Sequence, residues 1–336
     1  MTTTRVCALQ MQGKVADIQY NLAHVRELLD EAVRLKAQVV AVPEFFTTPI
    51  VEDPRLWACS LPPDNPALDL LRRYALDYGL LIGGSYLEKR GEDVFNCYVL
   101  VHPDGSVTRH DKDRPTMIEN AYYIGGQDPG IHESSLGTVG TAVCWETMRT
   151  QTVRRLRGRI DFVMSGSHWW SPPLNWPVLK KFFHTMADMN ADYLESAPGT
   201  FARLLGVSNI HASHCGPLVG KLPLLPPPVH PVAYRGELMG EAQIIDNRGQ
   251  CLARRQRHEG PGVIHAELEL VPGEVTLALP DRFWIPRLKW RFRFFWHQQN
   301  LCSRMLYHKA RRAGWLSVYP GGDSSQHRGS RTQQVT

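Results

Sequence analysis

The feature that most constrains the fold of this chain is a strand–helix–strand pattern near its start. The segment "RVCALQMQ" has the alternation of a strand, and in "NLAHVRELLDEAVRLKA" the apolar positions fall on one helical face. A continuous apolar run, "QVVAVPEFF", follows and is typical of a strand covered on both faces. Strand, helix and strand at this spacing predict a βαβ unit.

The same theme recurs along the chain. A helix is predicted in "PALDLLRRYALDYG", ending at Gly79, and paired strands are predicted in "LLIGGSYLE" and "NCYVLVHPDG". Further strands are expected in "TVGTAVC", "IDFVMSGS", "VSNIHASHCG", "GEAQIIDNRGQCLARR" and "GVIHAELEL", with a helix in "QTVRRLRG". We therefore predict one α/β domain over residues 1–275. The proline-rich stretch "GPLVGKLPLLPPPVHPVAYRG" has neither periodicity and is predicted to be an ordered loop.

The composition changes after Pro280, where aromatic residues mix with arginine and lysine. We predict a helical extension over residues 276–320 and a disordered polar tail over 321–336. A basic amphipathic helix spanning 282–312 could pack across an oligomer interface, which we favour. It could instead lie on an anionic membrane surface or bind another partner. It carries no motif for reading bases, so no specific nucleic-acid partner is expected.

Composition and missing motifs narrow the class of protein. The 336 residues are 43% hydrophobic and 21% charged, as in soluble globular proteins. We see no signal peptide and no apolar run near the ~20 residues of a membrane span. Seven scattered cysteines without a CxxC pair favour reduced thiols and a cytoplasmic location. There is no Walker loop, HExxH or GxSxG, and the alternating faces of "HASHC" argue against a metal site.

Three reactive groups follow strand-like runs: Glu44 in "VVAVPEFF", Lys112 in "RHDKDRPTMIEN" and Cys144 in "TVGTAVC". In an open α/β sheet such groups collect at the carboxyl ends of strands. The carboxylate could take the thiol proton, and the ammonium could stabilise a thiolate and an oxyanion. Each residue alone has an ordinary structural explanation, so the hypothesis depends on their joint occurrence.

That joint occurrence resembles the nitrilase superfamily of carbon–nitrogen hydrolases, which carry a Glu-Lys-Cys triad. The similarity extends over residues 5–270 through "AVPEFF", "KDRPTMIEN" and "GTAVCWE". It implies an α/β fold built as a four-layer α-β-β-α sandwich that forms homodimers or higher homo-oligomers. It further implies that Glu44 is the general base, Lys112 the oxyanion stabiliser and Cys144 the nucleophile. Glu119 would position the lysine and the substrate, and no cofactor or metal is implied.

The substrate stays open between a nitrile and a primary amide. "CWE" resembles the nitrilase branch, but Asp111 stands where that branch tends to carry arginine. An amidase or carbamoylase type, an acyl-transferring relative and a non-catalytic scaffold are the alternatives. We expect an aromatic substrate pocket that takes an apolar acyl group, built from Phe45, Tyr122, Trp145, His168, Trp169 and Trp170.

Overall fold

The structure is a computed structural model that describes residues 3–177, 180–227 and 230–321. Its helices are α1 (Ile18–Arg34), α2 (Pro66–Tyr78), α3 (Thr150–Leu156), α4 (Lys180–Leu205) and α5 (Trp290–Arg312). Its strands are β1 (Thr4–Met11), β2 (Val39–Ala41), β3 (Leu81–Arg90), β4 (Asp93–Val101), β5 (Val107–Asp111), β6 (Ile131–Ser134), β7 (Gly137–Val143), β8 (Phe162–Ser167), β9 (Ser208–Leu222), β10 (Val232–Met239), β11 (Ala242–Ile245), β12 (Cys251–Arg255) and β13 (Gly262–Leu268).

The strands are joined in the order β5-β4-β3-β2-β1-β9-β8-β7-β6. The centre of this order is parallel, from β3 through β1 and β9 to β7, and antiparallel strands complete both ends. Strand β13 adds to β1, and β11 pairs with β9. A parallel centre linked by helices confirms the predicted α/β class.

Alternate residues of the central strands enter different cores. In β1, Cys7 and Leu9 pack with the α1 and α2 side chains, whereas Val6 and Ala8 face the opposite way. In β8, Val163 packs with α3 and α4, whereas its neighbours join the same inner core as Val6. Because strand side chains alternate between faces, this division into outer and inner cores is consistent with the layers of the predicted sandwich.

Local sequence explains where the first two helices begin and end. The Asp17 side chain accepts a hydrogen bond from the backbone N–H of Tyr20, and Asn65 caps α2 in the same way. Gly79 ends α2 with φ of 66°, a left-handed conformation that favours glycine. The helix predicted to stop at Gly79 is therefore confirmed.

The proline-rich stretch departs from the predicted loop. Strand β9 continues to Leu222, and β10 returns antiparallel to it from Val232. Cross-strand pairing of β9 with β10 supplies the backbone hydrogen bonds that a lone proline-rich segment lacks. The prediction of an ordered loop was wrong for residues 216–222 and 232–236, which are strand.

Helix α5 packs on the subunit to which it belongs. Asn300 accepts hydrogen bonds from the backbone N–H of Met117 and from the side chain of Asn120. Beyond the helix, Ser317 donates its backbone N–H to the carbonyl of Trp57. The division at residues 275 and 320 stays a prediction, and residues 322–336 of the predicted tail lie outside the described residues. In the described part of the chain, no helix is both long and apolar enough to cross a bilayer.

Candidate active site

Glu44, Lys112 and Cys144 come together although their strands are far apart in the sheet order. Glu44 lies just past β2, Lys112 follows β5, and Cys144 follows β7. Strands β5 and β7 belong to opposite halves of the strand order. Side chains of both halves share one inner core, and the ends of these strands meet at one buried point.

Lys112 is held between two carboxylates. Its Nζ lies 2.8 Å from Oε1 of Glu44 and 2.6 Å from Oε2 of Glu119. Oε2 of Glu119 also accepts the backbone N–H of Thr116 at 3.0 Å and the hydroxyl of Tyr123. Since these charge-assisted bonds are directional, the ammonium has a fixed position.

Glu44 is fixed from three other elements. Oε1 accepts a hydrogen bond from Nδ2 of Asn96 on β4 at 2.8 Å, and Oε2 accepts the backbone N–H of His168 at 2.8 Å. The backbone carbonyl of Glu44 lies 2.6 Å from Nε2 of His214 on β9. This contact requires the Nε2–H tautomer of His214.

Cys144 is the first residue of a short 3₁₀ turn that ends at Met148. The backbone φ of Cys144 is 53°. Positive φ at a residue with a side chain is uncommon and clusters at functional sites. The sharp turn takes the thiol out of the strand direction. Sγ of Cys144 and carboxylate oxygens of Glu44 and Glu119 lie within 4.8 Å of one another.

Burial sets the protonation of the acid–base pair. It raises the pKa of Glu44 to about 7, although the Lys112 ammonium acts against the shift. Burial and the charge of Glu44 also hold the pKa of the Cys144 thiol well above its usual value, again against Lys112. At neutral pH the thiol is therefore protonated, and beside it lies a carboxylate whose pKa is near the working pH, as a general base requires.

Lys112 stays charged in this site. Burial opposes its charge, but Glu119 and Glu44 outweigh burial and hold its pKa well above the usual value. Glu44, Glu119 and Cys144 also have a spacing that could hold a cation. The ammonium of Lys112 already hydrogen-bonds both carboxylates, so a metal ion would have to displace it.

A cavity opens beside Cys144, with about 430 Å³ of space that includes the solvent at its mouth. Two of its walls come from distant parts of the chain, Met186 and Asn190 on α4 and Phe292 and Phe295 on α5. Asn190 holds the indole of Trp169 in place, because its Oδ1 accepts from Nε1 of that ring, and its Nδ2 donates to the backbone carbonyl of Trp170. The remaining lining residues are Thr116, Met117, Glu119, Trp145, His168 and Pro172.

Four of the six predicted pocket residues, Trp145, His168, Trp169 and Trp170, line this cavity. Phe45 and Tyr122 do not, and we correct their predicted substrate contacts. The ring of Phe45 lies edge-on to His168 behind the triad. The hydroxyl of Tyr122 donates to the carbonyl of Val51 at 2.9 Å.

Sequence reasoning missed several residues of the site. Tyr123, next to the predicted Tyr122, is the tyrosine that bonds Glu119. The 3₁₀ turn Met117–Ala121 decides which of the two faces the triad, and no periodicity reveals that. Phe292 and Phe295 belong to a helix that we expected at an oligomer interface or a membrane surface. Only their clustering with other aromatics after Pro280 could have drawn attention to them.

The comparisons with known proteins agree with this fold. The sequence model of the family described as "carbon-nitrogen hydrolase" matches residues 5–179. The chain therefore belongs to the carbon–nitrogen hydrolase family. An amidase from Nesterenkonia sp. has a TM-score of 0.58 at 18% identity, covering 83% of this chain and 93% of that one. A carbon–nitrogen hydrolase from Helicobacter pylori G27 also has a TM-score of 0.58, at 16% identity over 80% of this chain and 90% of that one.

Curated relatives include enzymes of both substrate types. The chain is 28% identical over 171 residues to the omega-amidase YafV of Yersinia enterocolitica, covering 50% of this chain. That alignment spans 64% of the omega-amidase's own length. This chain is also 23% identical over 305 residues to an aliphatic nitrilase of Rhodococcus rhodochrous, covering 82% of this chain and 77% of the nitrilase.

Proposed function

We propose that this protein hydrolyses the carbon–nitrogen bond of a small nitrile or amide through a thioester on Cys144. The observation that carries the proposal is the contact of one buried ammonium, Lys112, with two carboxylates beside a protonated thiol. Such an arrangement supplies a base, a nucleophile and an electrophilic stabiliser at one point. The roles of Glu44, Lys112, Cys144 and Glu119 are those that the family resemblance implies.

The first half of the reaction forms the covalent intermediate. Glu44 takes the thiol proton as Sγ of Cys144 attacks the amide carbon, and negative charge develops on oxygen. Lys112 and the backbone N–H of Trp145, in the first turn after β7, stabilise that charge. When the C–N bond breaks, Glu44 returns the proton to nitrogen and ammonia leaves.

The second half releases the acid. Glu44 removes a proton from water, the hydroxide attacks the thioester carbon, and the thiolate leaves and recovers the proton. A nitrile follows the same path after one additional water has converted the first adduct into the amide-level intermediate. Loss of one oxyanion donor such as Lys112 typically lowers kcat by roughly 10²–10³-fold.

The cavity favours an uncharged, apolar acyl group. Its wall is formed mainly by the aromatic and aliphatic side chains of Met117, Trp145, Trp169, Trp170, Met186, Phe292 and Phe295. Among the lining residues described, no lysine or arginine is present to pair with a carboxylate on the substrate. Burial, together with the neighbouring His214 and the charge of Lys112, holds the pKa of His168 well below its usual value, so His168 is neutral. An acyl chain with a charged end would be desolvated without a partner.

Matched substrate pairs test the proposal. Ammonia release would be measured from the nitrile and the primary amide of the same acyl group, for butyryl, phenylacetyl and the charged succinyl chain. We expect turnover of the two apolar groups and little from the charged one. Whether the nitrile or the amide of each pair is turned over decides the substrate branch.

Cys144→Ala provides the control, and intact-mass spectrometry monitors the adduct. An acyl adduct on wild-type protein that is absent from Cys144→Ala supports the covalent route even where turnover is slow. Ammonia release that survives in Cys144→Ala would contradict the proposed mechanism. A preference for the charged succinyl chain would contradict the proposed acyl class.

We further propose a homo-oligomer, a dimer or larger, in a reducing cytoplasm. The family resemblance supports the oligomer, and all seven cysteines are free thiols, which supports the compartment. Sedimentation velocity of the purified chain tests the assembly. A monomer at micromolar concentration would contradict it.

A further inference from the structure

We propose that the outer face of α5 docks this protein on an anionic membrane surface. The apolar residues of the outer face are Trp290, Phe294, Leu301 and Met305, spaced so that they lie on one side of the helix, with His297, His308 and Arg312 between or beyond them. This proposal does not depend on the proposed hydrolase activity.

The outer face is apolar yet exposed. Trp290 is 69% exposed, Phe294 66%, Leu301 60% and Met305 42%. The opposite face of the same helix is buried against the subunit through residues such as Phe292 and Cys302. The buried face already holds the helix in place, so intramolecular packing does not explain the apolar side chains of the outer face.

The loop of residues 223–225 lies beside α5. Nε2 of Gln298 donates to the carbonyl of Leu224 at 2.6 Å, and Gln299 donates to the carbonyl of Pro223 at 2.9 Å. These bonds hold the loop beside α5. Leu225, the next residue, is 57% exposed. An exposed leucine therefore follows the two residues that are bonded to α5.

Positive charge surrounds this apolar surface. Residues 282–312 contain no aspartate or glutamate, whereas arginine and lysine recur throughout. Arg293 and Arg304 flank the outer face on one side, and Lys309 lies on the other. Arg311 pairs with Glu92 and Asp93. In the described part of the chain, no ion pair joins Arg287, Lys289, Arg293 or Arg304 to a carboxylate, so their charge is available to a partner.

The charge pattern selects between the occupants of this surface. A second copy related by a two-fold axis would bring the same cationic flank against itself, and like charges across an interface repel. An anionic bilayer accepts both features, because phenylalanine, leucine and tryptophan enter the headgroup boundary while arginine and lysine bind lipid phosphates. The geometry therefore points to the bilayer.

Vesicle sedimentation with the full chain tests the proposal. The probe vesicles are phosphatidylcholine alone and phosphatidylcholine with about 30% phosphatidylglycerol. We expect co-sedimentation with the anionic vesicles that weakens as salt rises from about 0.1 to about 0.5 M. Arg293→Gln with Arg304→Gln should reduce binding roughly 25-fold, about five-fold for each charge.

A second variant tests the apolar part. Trp290→Ser with Phe294→Ser and Leu301→Ser should abolish sedimentation, whereas Leu76→Ser, at an exposed apolar position on α2, should leave it unchanged. Circular dichroism melting verifies that each variant is folded. Absent binding, equal binding to both vesicles, or wild-type binding by the triple variant overturns the proposal. Loss of a homo-oligomer in the triple variant, without any vesicle binding by wild type, would assign the face to a second copy.

Discussion

Glu146, two residues after the nucleophile, accepts a hydrogen bond from His110, two residues before Lys112. The distance from Oε2 of Glu146 to Nε2 of His110 is 3.0 Å, and both side chains are fully buried. The other carboxylate oxygen of Glu146 accepts the backbone N–H of Asp113 at 3.2 Å, and Oε2 also accepts that of Val143 at 2.7 Å. One carboxylate thus ties the segment that carries Lys112 to the turn that carries Cys144.

Replacing Glu146 with an uncharged side chain of the same shape should displace Lys112. Glu146→Gln removes the charge opposite His110 and puts a donor where an acceptor is needed. We expect a loss of roughly 3–5 kcal/mol in the free energy of unfolding, as when one partner of a buried pair is removed. Urea unfolding measures this. Glu133→Gln, at the exposed position of β6, is the control and should change stability by less than about 0.5 kcal/mol.

The protonated state of His110 should make stability depend on pH. Burial acts against its charge, but Glu146 and Asp128 raise its pKa from 6.5 to about 9. Because the pKa of His110 is raised in the folded protein, protonated His110 contributes to the free energy of unfolding. This contribution is fully present below pH 6.5 and is lost as the pH rises through about 9. Thermal unfolding between pH 6 and pH 9.5 should show this loss in wild type and a flatter profile in His110→Gln. Parallel profiles for the two proteins would contradict the assignment.

The rate should follow the ionisation of Glu44. Its carboxylate is the reactive form, so kcat/KM should fall about tenfold per pH unit below the pKa of about 7 and level off above it. Lys112 should add no alkaline limb below pH 9, because its pKa is well above the usual value. A pH–rate profile on a neutral amide measures both. A midpoint near 4.5, the ordinary glutamate value, would argue against burial of the working base.

The α5 wall should set the size of the acyl group. Phe292→Ala enlarges the cavity beside Cys144, so kcat/KM should shift toward bulkier acyl groups by about tenfold relative to butyramide. The lost packing should cost roughly 3–5 kcal/mol of stability. Phe294→Ala, two residues along on the exposed side, is the matched control and should change neither. Equal substrate profiles for the two variants would remove Phe292 from the proposed wall.

Local patterns were enough to predict much of the sheet. The strands "RVCALQMQ" and "TVGTAVC" and the helix before Gly79 were predicted correctly, because period-two and period-3.6 burial is written in neighbouring residues. The antiparallel pairing of β9 with β10 was not predicted, since these two segments stabilise each other across eight register positions. Among the site residues, Trp145 and Trp169 were predicted from their adjacency to strand ends, and Tyr123 was missed in favour of Tyr122.

The sequence by itself determined the α/β class and the reactive residues at strand ends, because hydrophobic periodicity and strand-end position are local properties. Only the tertiary structure decided that α5 closes the cavity with Phe292 and Phe295 and that Lys112 lies between two carboxylates. Those contacts join residues as far apart as Cys144 and Phe295, and they depend on how two sheet halves and a terminal helix pack. Packing against a distant surface leaves no periodic signal in the segments that form it.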